Sequence, residues 1–104
     1  MNYFEYRDGE MHVENIKVAT IADEVGTPFY LYSSASLIYQ FNQFKEAFGD
    51  LDLLICYAVK ANANLAVLNL LAKLGSGFDI VSIGELERVL HAGGEAKKII
   101  FSGV

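Results

Sequence analysis

The chain of 104 residues has one cysteine, one proline and no tryptophan. A single cysteine cannot close an internal disulfide, and Cys56 lies inside an apolar run, where a free thiol behaves as a small hydrophobe. Nothing here calls for an oxidising compartment. Charge runs are also absent: the formal net charge of −5 comes from scattered acids, which excludes an acidic tail and argues against nucleic acid as a partner. No apolar stretch approaches membrane-spanning length, and the opening Met1-Asn2-Tyr3-Phe4-Glu5-Tyr6-Arg7-Asp8 lacks the basic start and apolar stretch of a secretory signal. A cytoplasmic protein with no membrane partner is expected. His12 and His91 stand far apart with no other Cys or His clustered near them, so no metal site is expected either.

What is abundant is apolar residue: 53% of the chain, against 20% charged. A single small domain buries roughly two-thirds of its unfolded surface. Some of this apolar surface is therefore expected to meet residues outside the sequence.

Asp8-Gly9, flanked by Tyr3–Tyr6 and Glu10–Val13, suits the positive backbone angles of a tight hairpin. Thr20 with Asp23 three residues on reads as a capping box for a short helix stopped by Gly26, and Phe29-Tyr30-Leu31-Tyr32 after Pro28 reads as a strand. From Ser33 the period becomes helical, with Ser33 or Ser34 as cap and Leu37, Phe41, Phe44 and Phe48 on one stripe, which predicts packing against a sheet. Leu53–Val59 is a buried strand, Asn64–Leu74 a helix, Phe78–Val81 a strand, Ser82 with Glu85 a capping box for a further helix, and Ile99-Ile100-Phe101 a last strand. The order β-α-β-α-β implies parallel strands joined by right-handed crossovers. An α/β barrel needs about 250 residues and a doubly wound domain would add further strands, so this pattern predicts part of a longer α/β protein and permits either parent.

Lys60 is the residue to which chemistry points. It follows Leu53-Leu54-Ile55-Cys56-Tyr57-Ala58-Val59, and ligands of α/β sheets and barrels sit beyond the carboxyl ends of their strands. A lysine placed there can become the neutral amine that attacks a carbonyl. Taken alone, such a lysine is more often an ordinary solvated end residue. Ser82 is explained by its cap, and Gly75-Ser76-Gly77 by a turn from helix into strand, since a phosphate loop would lead into a helix.

The neighbours of Lys60 change that balance. Tyr57-Ala58-Val59-Lys60-Ala61-Asn62, then Asn64-Leu65-Ala66-Val67-Leu68, Leu74-Gly75-Ser76-Gly77-Phe78-Asp79-Ile80-Val81-Ser82 and Gly84-Glu85-Leu86 resemble successive motifs of the barrel-type (fold type III) pyridoxal-phosphate decarboxylases. The opening, with Phe4-Glu5-Tyr6, Asp8-Gly9 and Gly26-Thr27-Pro28-Phe29-Tyr30-Leu31-Tyr32-Ser33, is similar to that of the diaminopimelate decarboxylases within that family. Ornithine-type relatives usually carry a cysteine and a proline shortly after the lysine, where this chain has Ala61 and Ala63; alanine racemases follow it with an Ala-Tyr-Gly-His run that is missing here.

The resemblance implies an α/β fold: the first βα units of a PLP-binding (β/α)8 TIM barrel over residues 33–104, preceded over 1–32 by a β-rich segment belonging with a C-terminal β domain. It implies pyridoxal 5'-phosphate as cofactor and decarboxylation of meso-2,6-diaminopimelate to L-lysine. Lys60 would hold the cofactor covalently and donate a proton to the product; Asp79 would be an acid near the cofactor that influences the lysine's protonation; Tyr57 and Ala58 would line the barrel near the ring. The phosphate loop, ring partners and substrate contacts would lie beyond Val104, so residues 1–104 alone would neither close the barrel nor decarboxylate. A full-length homodimer acting on a small amino acid is expected. The alternatives are an ornithine- or arginine-type decarboxylase, and a small non-catalytic α/β module in which Lys60 contacts an anion.

Overall fold

The computed structural model describes residues 2–104, which form two compact units, one running to Phe44 and the other from Lys45 to Val104.

The first unit begins with an antiparallel sheet of β1 (Phe4–Arg7), β2 (Glu10–Val13) and β3 (Ile16–Lys17). Asp8 and Gly9 have φ of 51° and 79°, the paired left-handed angles of a type I′ turn, so the Asp-Gly hairpin forms as its sequence predicts, with Arg7 opposite Glu10. Helix α1 (Val18–Val25) starts at Val18 after Lys17, which makes no side-chain cap. Thr20 is inside the helix, so the expected Thr20–Asp23 capping box is not its start. Gly26, at φ 81°, does end it.

Phe29–Tyr32 is not a strand. β-favouring side chains do not make a strand without a neighbouring backbone to pair with, and among the described residues none pairs with this segment. Helix α2 (Ser34–Ala47) follows, capped by Ser33: its buried hydroxyl accepts a hydrogen bond from Ser36 N (3.0 Å) and donates one to Glu14 Oε2 (2.8 Å). The aromatic stripe along α2 and into the turn after it is less covered than core packing requires, since Phe41 is half-buried while Phe44, and Phe48 just past the helix end, are exposed.

The second unit is the predicted β-α-β-α-β order: β4 (Cys56–Ala58), α3 (Leu65–Lys73), β5 (Gly77–Ile80), α4 (Ile83–His91) and β6 (Ile99–Phe101). The strands are parallel and lie in sequence order, with Ala58 beside Asp79 and Asp79 beside Ile100. β4 is shorter than the expected Leu53–Val59 strand and its residues are half-buried; Leu51, Leu53 and Leu54 before it are exposed. An apolar run registers affinity for a core, whereas strand length is set by how far the neighbour's hydrogen bonds extend.

Both helices begin as their sequences predict. Asn64 Oδ1 accepts from Ala66 N and Val67 N at the start of α3. Ser82 Oγ accepts from Glu85 N (3.1 Å) at the start of α4, while Glu85 Oε1 reaches back to Val81 N (2.8 Å). The core contains Leu68, Phe78 and Val89, each fully buried, with Val67, Leu71 and Ile80 around them. Of the expected inward set on α4, Val89 is fully buried, Leu86 half-buried and Leu90 exposed.

Candidate active site

β4 ends at Ala58, and the chain turns at once through a single 3-10 turn, Val59–Ala61, that carries Lys60. Val59 has no exposed surface, while Lys60 beside it is exposed. A buried anchor and an exposed amine thus share one short turn. Among the described residues Lys60 forms no ion pair; the three pairs present are Arg7–Glu5, Lys17–Glu10 and Lys98–Glu95.

The segment after Lys60 is held by a series of short hydrogen bonds. Asn62 N donates to Val59 O (3.1 Å), and the Tyr57 hydroxyl donates to Asn62 O (2.9 Å). Asn64 N donates to Asn62 Oδ1 (3.0 Å), and Arg88 Nη1, from α4, donates to Ala63 O (3.1 Å). Tyr57 and Arg88 have positions here that the sequence did not disclose. The Tyr57 contact crosses only five residues, but its direction depends on which face of β4 the ring takes. The Arg88 contact crosses 25, and no local pattern encodes it.

Alternation along a strand sorts the side chains by face. A Cβ at Gly77 would fall 2.7 Å from Cys56 Sγ, which places Cys56 and Gly77 on the same side of the sheet. Ala58 and Asp79, two residues further along their strands and in register, share that side. Tyr57 and Phe78 occupy the other, with ring centroids 6.5 Å apart in an edge-on arrangement. That second side is the one covered by α4, since Phe78 and Val89 both border Gly94. Tyr57 therefore lies on the helix-covered face, opposite to that of Ala58.

Asp79 contributes the unusual electrostatic feature. Its Oδ1 is buried and has no hydrogen-bond partner among the described residues. Burial raises the Cys56 thiol above the ordinary cysteine pKa, and the negative charge of Asp79 raises it further, as expected for two groups on one face of adjacent strands. A buried carboxylate oxygen without a partner costs stability, and such groups concentrate where a ligand completes the hydrogen bonding.

Lys60 and Asp79 are thus brought to the carboxyl ends of neighbouring parallel strands, two residues apart in register, where α/β folds bind their ligands. An exposed primary amine can add to a carbonyl, and a carboxylate at the neighbouring strand end can accept a proton or balance a cation. Ser82 is occupied as a helix cap.

A parallel β-α-β-α-β unit with a lysine on the turn after its first strand defines a class: α/β domains that offer an amine at the strand ends. The family follows from sequence. Residues 34–104 match the family described as pyridoxal-dependent decarboxylase, pyridoxal binding domain, and the chain belongs to that family. It is the N-terminal part of a decarboxylase barrel domain. The chain is 57% identical over 105 residues to a diaminopimelate decarboxylase of Vibrio cholerae, covering all of this chain and 25% of the relative. The crystal structure of AQ1208 from Aquifex aeolicus superimposes with a TM-score of 0.92 at 46% identity, over 98% of this chain and 25% of that one. The diaminopimelate decarboxylase of M. jannaschii in co-complex with L-lysine superimposes with a TM-score of 0.86 at 35% identity, over 98% and 25%. The chain spans about a quarter of the length of the relatives it matches.

Proposed function

We propose that these residues serve in a pyridoxal-phosphate-dependent decarboxylase that converts meso-2,6-diaminopimelate to L-lysine. The observation that carries the reading is the exposed Lys60 on the turn after β4, with the buried oxygen of Asp79, unpartnered among the described residues, at the adjacent strand end. The kinship to diaminopimelate decarboxylases along the whole chain supports the substrate. So does the M. jannaschii relative, whose structure was solved with L-lysine, the product of this reaction.

Bound pyridoxal phosphate supplies an electron-withdrawing ring that takes up the electrons left when a carboxyl group departs. The chain's own residues supply attachment and proton control. Lys60 Nζ would hold the cofactor's aldehyde, and as the one titratable group on this turn it would be the acid that returns a proton to the product. Asp79 Oδ1, buried and without a hydrogen-bond partner among the described residues, offers an acceptor at the adjacent strand end. Val59, buried behind the turn, keeps the lysine's backbone from following its side chain.

The same reading makes the enzyme a cytoplasmic homodimer, with residues 1–32 belonging to a second, β-rich domain and 33–104 to the barrel. Its support is the family resemblance. Among the described residues no helix is long and apolar enough to cross a membrane. Borohydride reduction of the full-length protein with pyridoxal phosphate, followed by peptide mapping, is the direct test. The expected product is cofactor fixed at Lys60 and none in Lys60→Ala; fixation at another lysine overturns the assignment. Turnover of ornithine well above that of meso-diaminopimelate would overturn the substrate.

A further inference from the structure

We propose that Tyr57 and Arg88 are positioning residues for Lys60, acting through the backbone of the segment that follows it; this rests on the assignment of Lys60 as the cofactor lysine. Lys60 stands on a turn of three residues. On its amino-terminal side the turn is anchored by Val59, which is fully buried. On its carboxyl-terminal side no apolar side chain does the same, since Ala61 is exposed and Asn62 and Ala63 are only half-buried. Two long-reaching donors hold that side instead: the Tyr57 hydroxyl on Asn62 O at 2.9 Å and Arg88 Nη1 on Ala63 O at 3.1 Å.

The two donors come from different elements. Tyr57 rises from β4, its ring set edge-on against the fully buried Phe78. Arg88 lies on α4, one residue before the fully buried Val89. The segment is therefore tied both to the strand that leads into Lys60 and to the helix that follows Asp79. An amine that must meet a bound aldehyde gains from a backbone already ordered, because any ordering left until binding is subtracted from affinity. Removing either donor leaves a carbonyl to water and lets residues 61–63 move, and the loss appears where Lys60 engages the cofactor.

The test uses the full-length protein as wild type, Tyr57→Phe, Arg88→Met, Arg88→Lys and Lys60→Ala. Tyr57→Phe keeps the ring against Phe78, and Arg88→Met keeps an aliphatic stem on an exposed helix position, so both variants are chosen to fold. Three quantities are measured: the dissociation constant for pyridoxal phosphate, the pH midpoint of the bound cofactor's absorption band, and the melting temperature without cofactor. Each of the first two variants is expected to bind the cofactor about 3- to 10-fold more weakly, the worth of one hydrogen bond. Each is also expected to shift the band's pH midpoint, and Arg88→Lys is expected to recover part of the affinity. A lowered melting temperature with unchanged affinity and midpoint would show a merely structural role and overturn the proposal, as would wild-type values of all three. If borohydride fixes cofactor in Lys60→Ala as in wild type, the assignment of Lys60 falls instead, and the two failures are thereby distinguished.

Discussion

Adding a single methyl group at Gly77 tests the geometry of the sheet beneath the site. A Cβ there would stand 2.7 Å from Cys56 Sγ, 2.7 Å from the Lys98 carbonyl oxygen and 3.0 Å from Leu54 Cδ2, all inside the 3.4 Å at which ordinary contact begins. Leu54 is an exposed side chain and can turn away. Cys56 can change rotamer at some cost. The Lys98 oxygen is backbone, immediately before β6, and β6 is paired to β5 from Phe78↔Ile99 onward, so it yields only if the sheet spreads. Overpacking of this kind costs about 1–3 kcal/mol, and contact with backbone argues for the upper end. The stiffer unfolded chain of an alanine variant returns about 0.5–1 kcal/mol. Gly77→Ala is therefore expected to lose about 2 kcal/mol. Gly84, inside α4, is the control: the nearest atom to its added Cβ is Ser82 Oγ at 3.9 Å, so Gly84→Ala meets no obstacle and is expected to gain about 0.5–1 kcal/mol from helix propensity. Urea unfolding of the full-length protein, followed by circular dichroism without added cofactor, reads both signs. In a Cys56→Ala background roughly half of the Gly77→Ala loss is expected to disappear, since the thiol contact goes and the carbonyl contact stays. Equal stability of Gly77→Ala and wild type, or a loss for Gly84→Ala, would refute the packing described.

Further outcomes follow from the same structure. Asp79→Asn is expected to raise the stability of the cofactor-free protein by about 1 kcal/mol, because an unpartnered buried carboxylate oxygen is replaced by a neutral group, and to lower decarboxylation at least tenfold; thermal melting and turnover check the two halves. The Cys56 thiol, raised by burial and then by Asp79, favours its protonated form in the folded chain. The unfolded chain loses that proton first as pH rises, so this contribution is present below the ordinary cysteine pKa and fades above it. Asp79→Asn lowers the Cys56 pKa and is expected to speed labelling by a thiol reagent at a fixed alkaline pH. Ser82→Ala removes the acceptor of Glu85 N and is expected to cost about 1 kcal/mol by denaturant midpoint. Leu68→Ala, at a site with no exposed surface, is expected to cost about 3 kcal/mol; a cost under about 1 kcal/mol would contradict its place in the core.

Much of the fold was legible because its determinants are local. Asp8-Gly9 turns where it does because both residues tolerate positive φ. Ser82 starts its helix because its side-chain oxygen meets an amide three residues on. The order of strands and helices from Cys56 to Phe101 follows from apolar period and turn residues, and Lys60 stands out because it breaks an apolar run.

Readings failed where the deciding partner was distant in sequence. Phe29–Tyr32 has the side chains of a strand but no paired neighbour among the described residues, and α1 begins at Val18 without the capping box that Thr20 suggested. The phenylalanines from Phe41 to Phe48 have helical spacing, yet α2 ends at Ala47 and both Phe44 and Phe48 are exposed.

The amino-acid sequence by itself determined the elements of the parallel unit, the lysine at its strand end and the family to which it belongs. Only the tertiary structure decided that Asp79 shares a face with Cys56 and leaves an oxygen unpartnered, that Tyr57 lies on the opposite face, and that Arg88 reaches across 25 residues to the segment behind Lys60. Caps and turns are closed by atoms a few bonds away. The face of a strand and the partner of an arginine are settled only when separate elements pack together.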